Sequence, residues 1–265
     1  MNKKAWTEKF MQGVFFIAAC ASVLAVALIC IFLFANGIPA MKEIGFGEFL
    51  SGEMWKPKNE IFGILPMIVG SLYVTAGAII FGVPIGILTA VFMAYYCPKK
   101  IYKPLKAATE LLAGIPSVVY GFFGLVVIVP LIRTLGRDLG FGGNGSSILT
   151  ASLLLGMMIL PTIIGLTESS IRAVPEQYYE GAVALGATHE RAIFRVVIPA
   201  AKSGVIAAIV LGIGRAIGET MAVIMVAGNQ ARLPQGIFRG VRTLTANIVI
   251  EMGYATGLHR EALIA

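Results

Sequence analysis

Two charged residues stand where charge is expensive. Arg215 is the midpoint of an apolar run from Ser203 to Ala227, and Glu219 lies four residues further on. On insertion scales a charge at the centre of a membrane helix costs roughly 2.5–3.5 kcal/mol, so such a residue faces a bundle interior or a water-filled path rather than lipid. In a continuous helix the two side chains share one face, and pairing lowers the cost of burying either. Two chemistries fit. One is a structural ion pair that locks helices together. The other is an anion path, in which a guanidinium grips oxygens in pairs and a nearby carboxylate keeps the site from trapping its cargo. Ser117, Tyr120, Thr220 and Asn229 can line such a path, or can equally bond within the bundle.

Other chemistries find little support. His189-Glu190 opens like a zinc-protease motif, but Ile193 stands where the second His is needed. Cys20, Cys30 and Cys97 form no CxxC pair, which argues against zinc and disulfides. Gly212-Ile213-Gly214 lacks the preceding strand and the spacing of a nucleotide fingerprint. No phosphate-cradling Walker A sequence occurs, and no nucleophile–base pair is evident. We therefore expect no metal, no cofactor and no catalytic residue.

The elements that must hold these residues are membrane helices. The 265 residues are 57% hydrophobic and only 13% charged, with a mean hydropathy of +0.85, against roughly 25% charged in a soluble domain. The net charge of +7 then reads as basic cytoplasmic loops rather than as affinity for nucleic acid. Five apolar runs are long enough to cross a bilayer: Gly13–Asn36, Gly63–Tyr96, Ile115–Leu135, Ile148–Leu166 and Ser203–Ala227. The first exceeds the core of a cleaved signal peptide. Pro66 and Pro84 suit the start and a kink of the second run. Residues 1–36 are read as a cytoplasmic N-terminus with the first helix. Residues 37–62 are read as an external segment, with a short amphipathic helix on the membrane and with Trp55 and Phe62 at the interface. Residues 63–265 are read as the main transmembrane domain. The loop Lys99–Lys106 is cytoplasmic in this orientation, which leaves eight lysines inside against three outside.

Residues 167–203 are a polar connection between the fourth and fifth runs. Pro175 and Glu176 suit a helix start, Gly186 a left-handed helix end, and Thr188 the N-cap of a second helix reaching Val197. On these features alone, an ordinary loop fits too. The sequence Glu180-Gly181-Ala182, three residues, Gly186, nine residues, Val196-Val197-Ile198-Pro199 resembles the EAA loop of ABC importer permeases. It departs from that pattern at Gly181, Val196 and Ile198. Further stretches resemble the phosphate-specific branch: Trp55-Lys56-Pro57, Phe62-Gly63, Gly114-Ile115-Pro116-Ser117-Val118-Val119-Tyr120-Gly121-Phe122-Phe123-Gly124, and Gly214-Arg215-Ala216-Ile217-Gly218-Glu219-Thr220-Met221-Ala222. The Thr-Met-Ala ending is more similar to the PstC-type branch than to its PstA-type partner.

The resemblance implies an all-α, MetI-like polytopic bundle in a bacterial inner membrane. Five crossings are present; the family's sixth is expected to be missing at the C-terminus, so that the chain ends where that helix begins. It implies a permease that shares a phosphate path with a homologous permease as a heterodimer. An ATPase dimer would dock on the cytoplasmic side, and an external binding protein would deliver phosphate. It further implies an ATPase-coupling role for Glu180, Ala182, Gly186, Ala187, Thr188 and Pro199, and a path role for Arg215 and Glu219, beside which Ser117, Tyr120 and Thr220 are the further path candidates. The competing readings are a permease for sulfate, molybdate or phosphonate, and an ATP-independent anion channel or carrier.

Overall fold

A computed structural model describes residues 3–265, with side chains from residue 7 onward. The side chains of Lys3 and Lys4, two of the charges behind the expected cytoplasmic N-terminus, lie outside the described residues. The chain is almost wholly helical. In order it forms α1 (Lys3–Ile44), α2 (Phe46–Ser51), a two-stranded antiparallel hairpin β1 (Trp55–Lys56) and β2 (Ile61–Phe62), and α3 (Leu65–Val91). There follow α4 (Lys99–Gly114), α5 (Ser117–Phe123), α6 (Val129–Asp138), α7 (Ile148–Arg172), α8 (Glu176–Ala184), α9 (His189–Ala192) and α10 (Ile198–Ala200). The last elements are α11 (Lys202–Gly218), α12 (Met221–Val226), α13 (Leu244–Glu251) and α14 (Gly257–Ile264). Single wide π-turns, Phe92–Tyr96, Gly124–Ile128 and Ile193–Val197, extend or join α3, α5–α6 and α9–α10.

Among the described residues, four helical stretches are long and apolar enough to cross a membrane: Thr7–Ile44, Leu65–Tyr96, Ser117–Asp138 and Ile148–Arg172. A fifth arises only if His189–Ala200 and Lys202–Gly218, bent by 70°, count as one span. The expected continuous crossing Ser203–Ala227 is thus corrected, because α11 stops at Gly218 and α12 begins anew at Met221.

The chain divides into two compact units. One comprises the residues up to Gly63 together with Ile250–Ala265. There α1 continues through residue 36 to Ile44, past Pro39, so the segment expected to begin at residue 37 is helical at its start. Trp55 and Phe62, expected at a membrane interface, are instead buried. The physical reason is the indole N–H, which donates to Glu251 Oε2 at 2.8 Å while the ring packs edge-on against Phe62. His259 Nε2 contacts the same carboxylate oxygen at 2.9 Å.

The other unit, Ile64–Val249, carries the bundle core. Its centre is α3 against α7. Gly70, Val74, Ala78, Gly82, Gly86 and Ala90, four residues apart, form a buried row of small side chains on α3. Such a row lets helix backbones approach closely where lipid offers no hydrophobic drive. At Gly82 a Cβ would meet Ile159 at 2.8 Å and the Gly156 carbonyl at 2.9 Å. Ser147 caps α7 by accepting from the Thr150 N–H at 3.3 Å.

Candidate functional site

Arg215 occupies the last turn of α11 on an exposed face. Its Nη1 donates to Thr162 Oγ1 of α7 at 3.5 Å, a long bond. No ion pair joins Arg215 to Glu219 or to another carboxylate among the described residues. The helix ends before Glu219, whose backbone is extended (φ −70°, ψ 129°). Glu219 Oε1 accepts the Ala222 N–H at 3.1 Å, and its carbonyl accepts from Thr245 Oγ1 at 3.1 Å. The expected shared face is therefore absent: the carboxylate satisfies an unpaired N–H of α12 instead.

The remaining path residues separate. Tyr120 is buried and donates to the Leu112 carbonyl of α4 at 2.9 Å, a bond within the bundle. Thr220 Oγ1 donates to the Gly218 carbonyl at 3.2 Å, spanning the break. Ser117 is half-buried at the first position of α5. Asn229 sits at φ 51° and donates Nδ2 to the Ile224 carbonyl at 2.8 Å.

The polar connection forms the expected pair of short helices. The Gly186 N–H bonds the Val183 carbonyl at 2.9 Å, and the Ala187 N–H bonds the Ala182 carbonyl at 3.1 Å. With Gly186 at φ 86°, this is a Schellman closure of α8, which needs a left-handed residue where glycine has no Cβ to clash. Thr188 then caps α9, accepting from the Arg191 N–H at 3.4 Å. Tyr179 on α8 and His189 Nδ1 on α9 are 2.7 Å apart, with the Tyr95 and Tyr96 rings packed edge-on against the imidazole. Ile193 and Val197 bury against Val91, Ile171 and Val205. Pro199 lies in α10, just before the 70° bend. Glu180, Gly186 and Thr188 are exposed, and Leu185 is 92% exposed. The turn thus presents an apolar tip on a rigid frame.

Four residues outside the sequence expectations form a cluster beside this loop. Glu168 on α7 is 1% exposed. Its Oε1 accepts from Tyr102 at 2.7 Å and from Arg172 Nε at 2.9 Å, and its Oε2 accepts from Lys106 at 3.0 Å. Arg172 also donates Nη2 to the Met93 carbonyl at 2.9 Å and stacks over the Tyr102 ring. Donation to a carboxylate holds the Tyr102 phenol above its ordinary pKa. The available signal was spacing: Tyr102–Lys106 and Glu168–Arg172 are both i, i+4 pairs. What hid it was the expected end of the fourth run at Leu166, whereas α7 continues to Arg172.

Residues 82–258 match the family of binding-protein-dependent transport system inner membrane components. Over its whole length the chain is 36% identical to the phosphate transport system permease protein PstC of Mesorhizobium japonicum, of which it covers 86%. Over 93% of its length it is 39% identical to the probable ABC transporter permease protein YqgH of Bacillus subtilis, covering 80% of that chain. It aligns at a TM-score of 0.63 with a chain of a bacterial ABC transporter involved in the import of the acidic polysaccharide alginate, at 15% identity, covering 99% of this chain and 91% of that one. This last likeness is one of fold.

Proposed function

The chain belongs to the binding-protein-dependent transport system inner membrane components, a multi-pass ABC importer permease, and from that premise we propose that it carries inorganic phosphate across the inner membrane. The observation that carries this reading is Arg215. It is a guanidinium in an apolar helix, and no carboxylate neutralises it among the described residues. A cation so placed is costly unless an anion or water shares the space, and phosphate offers the oxygen pairs that a guanidinium fits. The phosphate permease named above, related over the whole chain, supports the choice of anion.

In this mechanism a homologous permease supplies the other half of the path, and an external binding protein delivers phosphate. The turn α8–α9, exposed at Glu180 and Leu185, docks on a separate cytoplasmic ATPase chain that hydrolyses ATP. The N-terminus is then cytoplasmic, and the hairpin Trp55–Phe62 external. ATP binding draws the two coupling turns together and favours the outward-open state; hydrolysis returns it. Each step is a population shift driven by differential binding. Arg215 holds phosphate between states, with Ser117, Tyr120 and Thr220 near its route. Glu219 shapes the α11–α12 break rather than neutralising Arg215.

The test is phosphate uptake into vesicles containing the full complex, with ATP hydrolysis read in parallel. In Arg215→Gln, uptake should fall at least about a hundredfold, the scale of losing a charge-assisted contact worth about 3 kcal/mol, while hydrolysis stimulated by the binding protein persists. Full uptake by the variant would remove Arg215 from the path. Uptake by the native complex without ATP would defeat the importer reading. Preferential uptake of sulfate, molybdate or a phosphonate would replace the anion.

A further inference from the structure

We propose that Glu168 is a positioning residue that makes α4 follow α7, and so carries displacement of the coupling turn to the wall of the anion path. This rests on the permease reading above and names a residue that reading does not use. Three observations join.

The first is how α4 is held. Within this chain, among the described residues, α4 has no fully buried side chain, so its polar bonds carry much of its attachment to the unit. Its polar ties to the rest of the unit are Tyr102 and Lys106, both on Glu168, and the Leu112 carbonyl, which accepts from Tyr120.

The second is where Glu168 sits. It lies one turn before the end of α7, the helix that leads into α8 and the coupling turn. Arg172, one turn later, bonds both Glu168 and the Met93 carbonyl. Tyr102 and Lys106 of α4 thus meet α7 on the Glu168 carboxylate, and the turn that follows α3 joins them through Arg172.

The third is the far end of α4. Tyr120 precedes Gly121 in the chain, and a Cβ at Gly121 would meet Met225 at 2.7 Å and the Ala222 backbone at 3.0 Å. The Ala222 N–H is the group that Glu219 caps. Bonded and packed groups thus run from Glu168 through α4 and α5 to the break beside Arg215.

A buried carboxylate with two cations adds little net stability compared with apolar packing, but separating it from its partners is strongly unfavourable. Arg172 moves with Glu168 on α7, so the tie between the two helices is Tyr102 and Lys106 on this carboxylate. When α7 moves, α4 moves with it, because leaving Glu168 behind without Lys106 and Tyr102 costs more than shifting the helix.

The experiment compares native, Glu168→Gln, Glu168→Asp and Tyr102→Phe permeases in the full complex with its ATPase and binding protein. It reads phosphate moved per ATP hydrolysed. A lost tie should lower that ratio by about fivefold or more in Glu168→Gln, the low end of typical coupling between sites. Tyr102→Phe should lower it less, Glu168→Asp should restore part of it, and hydrolysis should persist in all. A purely structural role would lower uptake and hydrolysis together and leave the ratio unchanged; that result overturns the proposal. If Glu168→Gln does not assemble, Tyr102→Phe decides alone: it keeps the carboxylate and its two cations, and an unchanged ratio there is equally fatal. Native vesicles that move no phosphate count against the anion assignment instead, and the ratio is then read with the anion they do move.

Discussion

At the scale of single residues, the difference between Arg215 and Glu219 is one of backbone. Four residues apart they share a face only while the helix lasts, and the helix stops at Gly218. Glu219 then accepts an N–H at the start of α12, as a capping side chain does. Glu219→Ala should therefore destabilise the permease by about 1 kcal/mol, the usual cost of a lost cap. Glu219→Gln, which keeps an acceptor oxygen, should be close to neutral in thermal unfolding of the purified complex. If the two carboxylate variants are equally harmful, charge rather than capping is what the position supplies.

At the scale of elements, the turn between α8 and α9 combines a rigid frame with an exposed tip. The frame is the Schellman closure at Gly186, the Thr188 cap and the Tyr179–His189 contact. The tip is Leu185. Gly186→Ala places a Cβ at φ 86°, where a left-handed L-residue costs roughly 1–2 kcal/mol. It should weaken copurification of the ATPase by disordering the turn. Leu185→Ser should weaken the same copurification without moving the melting temperature of the permease alone, because an exposed side chain contributes little to its own fold. Unchanged copurification in both variants would put the docking surface elsewhere. The Glu168 tie is the counterpart of this turn inside the bundle, and its per-ATP ratio tests whether motion leaves the turn at all.

At the scale of the molecule, an importer permease has a fixed sidedness in the membrane. The hairpin residue Lys58 and the α8 residue Tyr178 are both exposed and should lie on opposite sides of the membrane. With Cys20, Cys30 and Cys97 replaced, single cysteines at these positions can be probed with a membrane-impermeant maleimide on intact cells. Lys58→Cys should label directly, and Tyr178→Cys only after permeabilisation. The reverse pattern would invert the topology and move the coupling turn outside. Within the unit Ile64–Val249, the small-residue row of α3 against α7 supplies the frame on which both the turn and Arg215 are mounted.

Local chemistry is what the sequence determined by itself. Apolar length marked the membrane helices, because a backbone in lipid must satisfy its own hydrogen bonds. Pro175, Gly186 and Thr188 marked two short helices with a turn between them, because a left-handed glycine and a threonine cap act on neighbours in the chain. Arg215 was legible for the same reason: one charge in an apolar run is anomalous without any fold. Only the tertiary structure decided the rest. Whether Arg215 meets Glu219 depended on a helix break that Thr245, from a separate helix, helps to fix. Trp55 and Phe62 turned inward because Glu251, distant in sequence, offered a buried acceptor. The Glu168 cluster drew Tyr102 and Lys106 from 66 and 62 residues away. Spacing along a chain records which groups share a helix face, whereas contact between helices is set by packing, which no short stretch of sequence carries.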